Sequence, residues 1–194
     1  MKKFALGGFL LLFVLWIGTN ALRDEPTDTD LQNPKVIKLM KRRAQDKAAN
    51  NVMSAHAEDM FKQYGLKVNG AGGAMLTNIK SLLLNFEGRG HYYNLEETGR
   101  VYVNCVEGFI AKINSDEDIR EYLHQYPVSL KNIELRIRFT DPETYKLDSR
   151  FVSFVYLVNG KIFYEVDDPD SPDFKRLHQE PYEEALRIVR EETL

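Results

Sequence analysis

At 194 residues, 43% hydrophobic and 28% charged, the chain has the composition of a folded globular protein, which excludes a wholly disordered one. Its net charge of −3 conceals an uneven spread: residues 35–47 carry six bases and one acid, residues 115–194 eleven bases and eighteen acids. The single cysteine, Cys105, excludes an intrachain disulfide framework.

The chain opens Met1-Lys2-Lys3, followed by an apolar run from Phe4 that fades out at Leu22, with no further charge until Arg23. Two lysines ahead of such a stretch mark a signal peptide or a signal-anchor. Phe4–Leu22 is 19 residues long, and at about 1.5 Å per residue it covers roughly 28 Å, close to the hydrocarbon thickness of a bilayer. The shorter core Phe4–Gly18, followed by Thr19-Asn20-Ala21, also fits a secreted protein cut after Ala21. The reading taken here is a retained single-pass anchor with an extracytoplasmic domain. A cytoplasmic domain is the other alternative, favoured by the basic block Lys35, Lys38, Lys41, Arg42 and Arg43. The same block is a candidate contact for anionic lipid, set against the plainer reading of a solvated helix face.

Residues 23–33 are polar, contain Pro26 and lack apolar periodicity, so they read as a tether. Asn33-Pro34 is a helix start, with asparagine as the cap and proline in the first turn. A long helix or stalk is expected over 34–64, on a stripe of Val36, Met40, Ala44, Ala48 and Val52 that continues through Met53, Ala57, Met60, Phe61 and Tyr64. Asn50-Asn51 is a place where it could break. Residues 65–194 then form an α+β globular domain.

Within that domain, the glycine cluster of residues 70–73 reads as a hinge, because it lacks the lysine and the third glycine of the phosphate-binding loops. A helix is expected over Ala74–Phe86, with Met75, Ile79, Leu82, Leu83 and Phe86 on one side. Asn94 and Glu97 have capping-box spacing for a helix reaching about Ile113. Ser115 is expected to cap another, ending at Tyr126-Pro127. Ile133, Leu135, Ile137 and Phe139 alternate with polar residues as in a half-exposed strand. Phe151–Val158 is apolar nearly throughout and reads as a central strand covered on both faces. Asn159-Gly160 is a hairpin turn into a strand over 161–166. The expected architecture is therefore a helical half packed on a three-stranded antiparallel β-meander, with a C-terminal helix from Pro181.

The run Ile119–Pro127 with Asn132–Ile137 resembles a loosely defined group of small exported bacterial proteins of unknown function, over roughly Leu95 to Val189. The resemblance lies in the order of helix and strand. It implies a recurring module and no particular activity.

Chemical signatures are weak. Glu121 and His124 have ligand spacing but no second copy, and the acidic loop Asp167–Asp173 lacks the glycine and terminal glutamate of an EF-hand. His91, His124 and His178 with Cys105 carry no accompanying protease motif. No catalytic residue, cofactor or metal site is therefore expected. Nucleic acid is not an expected partner, because basic patches with interleaved aromatics are missing. The remaining candidate is an interaction face formed by Val152, Phe154, Tyr156 and Val158, covered by the long helix, a second copy or a ligand.

Two function classes follow. One is a membrane-tethered, non-catalytic interaction or assembly module on the outer side of the membrane, binding a protein partner or its own copy. The other is a small exported ligand-binding or hydrolytic domain, whose pocket would gather Tyr156, Tyr164, His91 and carboxylates.

Overall fold

A computed structural model describes residues 33–192. The candidate membrane segment Phe4–Leu22 and nearly all of the tether lie outside them. Among the described residues, no helix is long and apolar enough to cross a membrane. The chain divides into two compact units, Met1–Lys41 and Arg42–Leu194.

Helix α1 (Pro34–Tyr64) starts in the first unit, where the Asn33 side-chain oxygen accepts the Lys35 N–H at 3.0 Å. It passes through Asn50-Asn51 without a break. In the second unit it buries Gln45, Ala48, Ala49, Val52, Met53, His56 and Met60, a stripe of three- and four-residue steps. Ala44 and Phe61, assigned to the stripe by sequence, are exposed.

Strands β1 (Lys67–Ala74) and β2 (Ser81–Arg89) replace the expected hinge and helix. Leu82, Leu84 and Phe86 point inward at period two, while Leu83 and Asn85 point out. Short apolar runs fit both periods, and pairing on two sides decides for the strand. The glycines serve this pairing: a Cβ on Gly73 would run into the Ser81 carbonyl oxygen across the ladder.

Helix α2 (Leu95–Ser115) opens with the expected capping box, in which Asn94 Oδ1 accepts the Glu97 N–H at 3.0 Å and Glu97 accepts the Asn94 N–H at 2.9 Å. It buries Val101, Tyr102, Cys105, Val106, Phe109 and Ile113. The next helix is one turn only, α3 (Glu117–Arg120), and Asp116 rather than Ser115 caps it. It does not reach Tyr126, because the main chain of Tyr122 and His124 bonds to Ile79 instead, at 2.8 and 2.9 Å.

The last part of the chain forms β3 (Ile133–Thr140), β4 (Phe154–Val158), β5 (Lys161–Asp167), β6 (Phe174–Pro181) and helix α4 (Tyr182–Glu192). The expected three-stranded meander is in fact a six-stranded mixed sheet in the order β1-β2-β3-β4-β5-β6. The β2–β3 pair is parallel, with α2 as the crossover between them, and the other four pairs of this sheet are antiparallel. Residues of β6 are mostly exposed and polar, which left it without a strand pattern in the sequence. The fold class is α+β.

The core lies between the sheet and α1, α2 and α4, and it includes Leu84, Phe86, Phe109, Ile137, Val155, Ile162 and Tyr164. Side chains on the opposite side of β3, β4 and β5 remain half-buried or exposed, except Thr140 and Asp167 at the strand ends. Strand β4 is interior, as expected, but its two faces are not both covered: Val155 is fully buried, whereas Phe154 and Tyr156 are half-buried.

Candidate interaction face

The open face is set by alternation and register. The two-residue turn Asn159-Gly160, where Asn159 (φ 52°) and Gly160 (φ 74°) both take left-handed backbone, pairs Tyr156 with Phe163 and Phe154 with Glu165. On the other side of β4, Arg136 pairs with Tyr156 and Arg138 with Phe154. A shift in register between β5 and β6 sets Arg176 opposite Glu165, and Phe174 opposite Asp167.

Four rings follow one another across this face. Phe174 stacks on Phe154 with centroids 5.3 Å apart, Phe154 meets Tyr156 at 5.1 Å, and Tyr156 stacks on Phe163 at 5.3 Å. Arginines close both ends of the row: the Arg176 guanidinium lies 4.4 Å from the Phe163 ring centroid, and that of Arg138 lies 4.4 Å from Phe174. Glu165 Oε1 accepts from the Tyr156 hydroxyl at 3.0 Å and from Arg176 at 3.3 Å. Burial and Glu165 together raise the Tyr156 phenol above its usual pKa. Arg138 pairs at 3.1 Å with the nearly buried Asp167, which also accepts the Leu147 N–H. The rings are therefore held in place before any partner arrives.

Beside them the sheet opens. The β3–β4 ladder runs only from Arg136/Tyr156 to Arg138/Phe154, and beyond it Ile133–Leu135 and Leu157–Val158 diverge. Between them lies a groove of about 920 Å³, lined among others by Leu130, Lys131, Glu134, Arg136, Tyr156 and Val158. On the same side of β2, Asn85 Oδ1 is buried with no hydrogen-bond partner among the described residues.

Of the four residues expected to form the face, Phe154 and Tyr156 stand in the ring row and Val158 lines the groove. Val152 does not belong to it. It precedes β4, is fully buried, and its N–H donates to the Tyr93 carbonyl. Sequence reasoning missed Phe163, Phe174, Arg138 and Arg176. The Asn159-Gly160 turn carried the signal for Phe163, since it fixes which residue faces Tyr156; nothing comparable pointed to Phe174.

The imagined pocket of Tyr156, Tyr164, His91 and carboxylates is not assembled. Tyr164 lies on the helix side, buried, where its hydroxyl donates to Glu180 at 2.6 Å. A cavity of about 260 Å³ adjoins it, lined by Leu95, Gly99, His178, Glu180, Ile188 and Glu192. His91 stacks on Tyr93 in the loop after β2. The residue meeting Cys105 is neither His91, His124 nor His178 but His56, whose Nε2 lies 3.6 Å from Sγ. Burial and nearby Lys112 lower the His56 pKa to about 4, and burial pushes the Cys105 thiol up. At neutral pH this is an uncharged imidazole stacked on Phe109 beside a protonated thiol, an arrangement suited to packing.

Glu121 and His124 belong to the segment after α3, and no group of three or more His, Cys, Asp or Glu placed to hold a metal occurs among the described residues. In the acidic loop, the Asp168 and Ser171 carbonyls accept the Lys146 ammonium at 3.2 and 3.0 Å. Compared with known proteins, the chain matches no family model, no curated protein and no solved structure.

Proposed function

We propose that the chain is a membrane-tethered, non-catalytic module that docks a protein partner on its open sheet face, outside the cytoplasm. The observation that carries this reading is the conjunction of a pre-arranged row of four rings with a groove where β3 and β4 separate. Aromatic and arginine side chains are the groups that dominate protein interfaces, and rings already held in place lose little freedom on binding. A gap between strands offers main-chain groups to an extended segment of a partner. The N-terminal pattern Met1–Leu22 supplies the tether.

The test is photo-crosslinking in the producing cells, with the photoreactive residue at Val158 in the groove and, as control, at Glu143 beyond the far end of β3. A defined protein adduct at 158, absent at 143 and lost when Tyr156→Ala and Arg176→Ala are combined, is the expected result. Equal adducts at both positions, or an adduct indifferent to the double variant, would remove the reading. Protease added to intact cells should digest the domain; protection would place it on the cytoplasmic side.

A further inference from the structure

The loop between β1 and β2 displays the most exposed large apolar side chain among the described residues, Leu76, at 88% exposure. This is not slack chain. The Met75 carbonyl accepts from Gln45 Nε2 at 3.2 Å, and the Lys80 N–H returns to the Ala74 carbonyl at 2.8 Å. Ile79 is buried and bonded through its main chain to Tyr122 and His124. The loop is thus fixed on both sides of a leucine that it holds out into solvent.

Two cations stand beside that leucine. Arg42 and Lys80 line the same hollow of about 460 Å³ as Leu76, together with one acid, Asp46. Neither cation forms an ion pair among the described residues. An apolar tip beside free cations matches the chemistry of an anionic bilayer surface, where the side chain enters the acyl boundary and the cations meet head-group phosphates. The chain enters this unit at Arg42, so the covalent path from the apolar N-terminal run arrives at this same patch. From Leu22 to Pro34 is 34 − 22 = 12 residues, a reach of at most about 43 Å, and the first turns of α1 add about 12 Å to Arg42. A patch so tethered meets the lipid surface at high effective concentration.

We infer that Leu76 with Arg42 and Lys80 forms a second membrane contact, which binds anionic phospholipid head groups at the surface of the bilayer that holds the N-terminal segment. This rests on the membrane-tethered reading above. The contact limits how the unit Arg42–Leu194 swings on its tether.

The test uses the full chain reconstituted into phosphatidylcholine vesicles with and without phosphatidylglycerol. An environment-sensitive fluorophore is attached at Leu76→Cys, and for comparison at Glu143→Cys; buried Cys105 stays in place, with the unsubstituted chain as labelling control. The probe at 76 should shift to the blue and be quenched by spin-labelled lipid when phosphatidylglycerol is present, while the probe at 143 stays in water. The combined variant Arg42→Glu, Lys80→Glu should abolish the shift. Protein retained through an alkaline wash but carrying a probe at 76 in water would overturn this inference and leave the tether intact. Protein released by the wash would overturn the tether itself. A shift that ignores both phosphatidylglycerol and the charge reversal would overturn the assignment to anionic lipid.

Discussion

Tyr164 and Tyr156 sit on adjacent strands of one sheet and serve opposite ends. Tyr164 faces the helices, is fully buried, and spends its hydroxyl on Glu180 at the edge of the core. Tyr156 faces away, is half-buried, and shares Glu165 with Arg176 in a row of rings that no helix among the described residues covers. A buried aromatic side chain contributes roughly 2–3 kcal/mol through the area it removes from water. The second tyrosine leaves part of that area available to a partner. One face of the sheet holds the fold together, and the other offers a prepared surface.

Opposite sensitivity of the two faces to the same change would test this difference most strongly. Val155→Asp introduces a charge among Ile137, Tyr164 and the helices, and should cost about 4 kcal/mol or more, enough to unfold a marginal domain. Tyr156→Asp, one residue on but pointing outward, loses ring packing and sets a carboxylate beside Glu165, and should cost about 1–2 kcal/mol, well under the loss at Val155. Urea denaturation of both variants checks the pair; equal losses would erase the distinction between faces.

A smaller effect comes from the covered side alone. His56 has a folded pKa of about 4 against about 6.5 in the unfolded chain, so the unfolded chain takes up the proton first. Its contribution to stability is full above about pH 6.5 and is lost as pH falls toward about 4, by up to about 1.4 kcal/mol per pH unit and roughly 3 kcal/mol in all. His56→Phe should flatten that part of the profile. Denaturation midpoints of the two proteins between those pH values provide the measurement, and parallel profiles would show that His56 is not held neutral.

The smallest effect sharpens the boundary between the core and the helix-side cavity. A Cβ at Gly99 would come within 3.2 Å of the Tyr164 hydroxyl, so Gly99→Ala must shift the Tyr164–Glu180 hydrogen bond. Helix propensity favours alanine by up to about 1 kcal/mol, while the disturbed hydrogen bond costs a similar amount. The net change in thermal stability should be near zero, and the changed tyrosine absorbance would report the disturbance at Tyr164. An unaltered tyrosine spectrum would show that the hydroxyl does not pack against α2.

Wherever local chemistry is self-sufficient, the sequence by itself determined the structure. The capping box of Asn94 and Glu97, the Asn33 cap, the alternation of β3 and the Asn159-Gly160 turn each need only their own neighbours, and each stands where the sequence pointed. Only tertiary structure decided the rest. Leu82–Phe86 fits helix and strand periods alike, and becomes β2 because β1 and β3 pair with it on either side. Strand β6 has no apolar pattern and exists because β5 presents it with a free edge. Phe174 and Arg176 enter the ring row through that pairing, across a loop that leaves no register in the sequence. The groove, too, arises only where two strands read separately as regular come apart after Tyr156, because strand pairing is a relation between distant segments and no single segment records it.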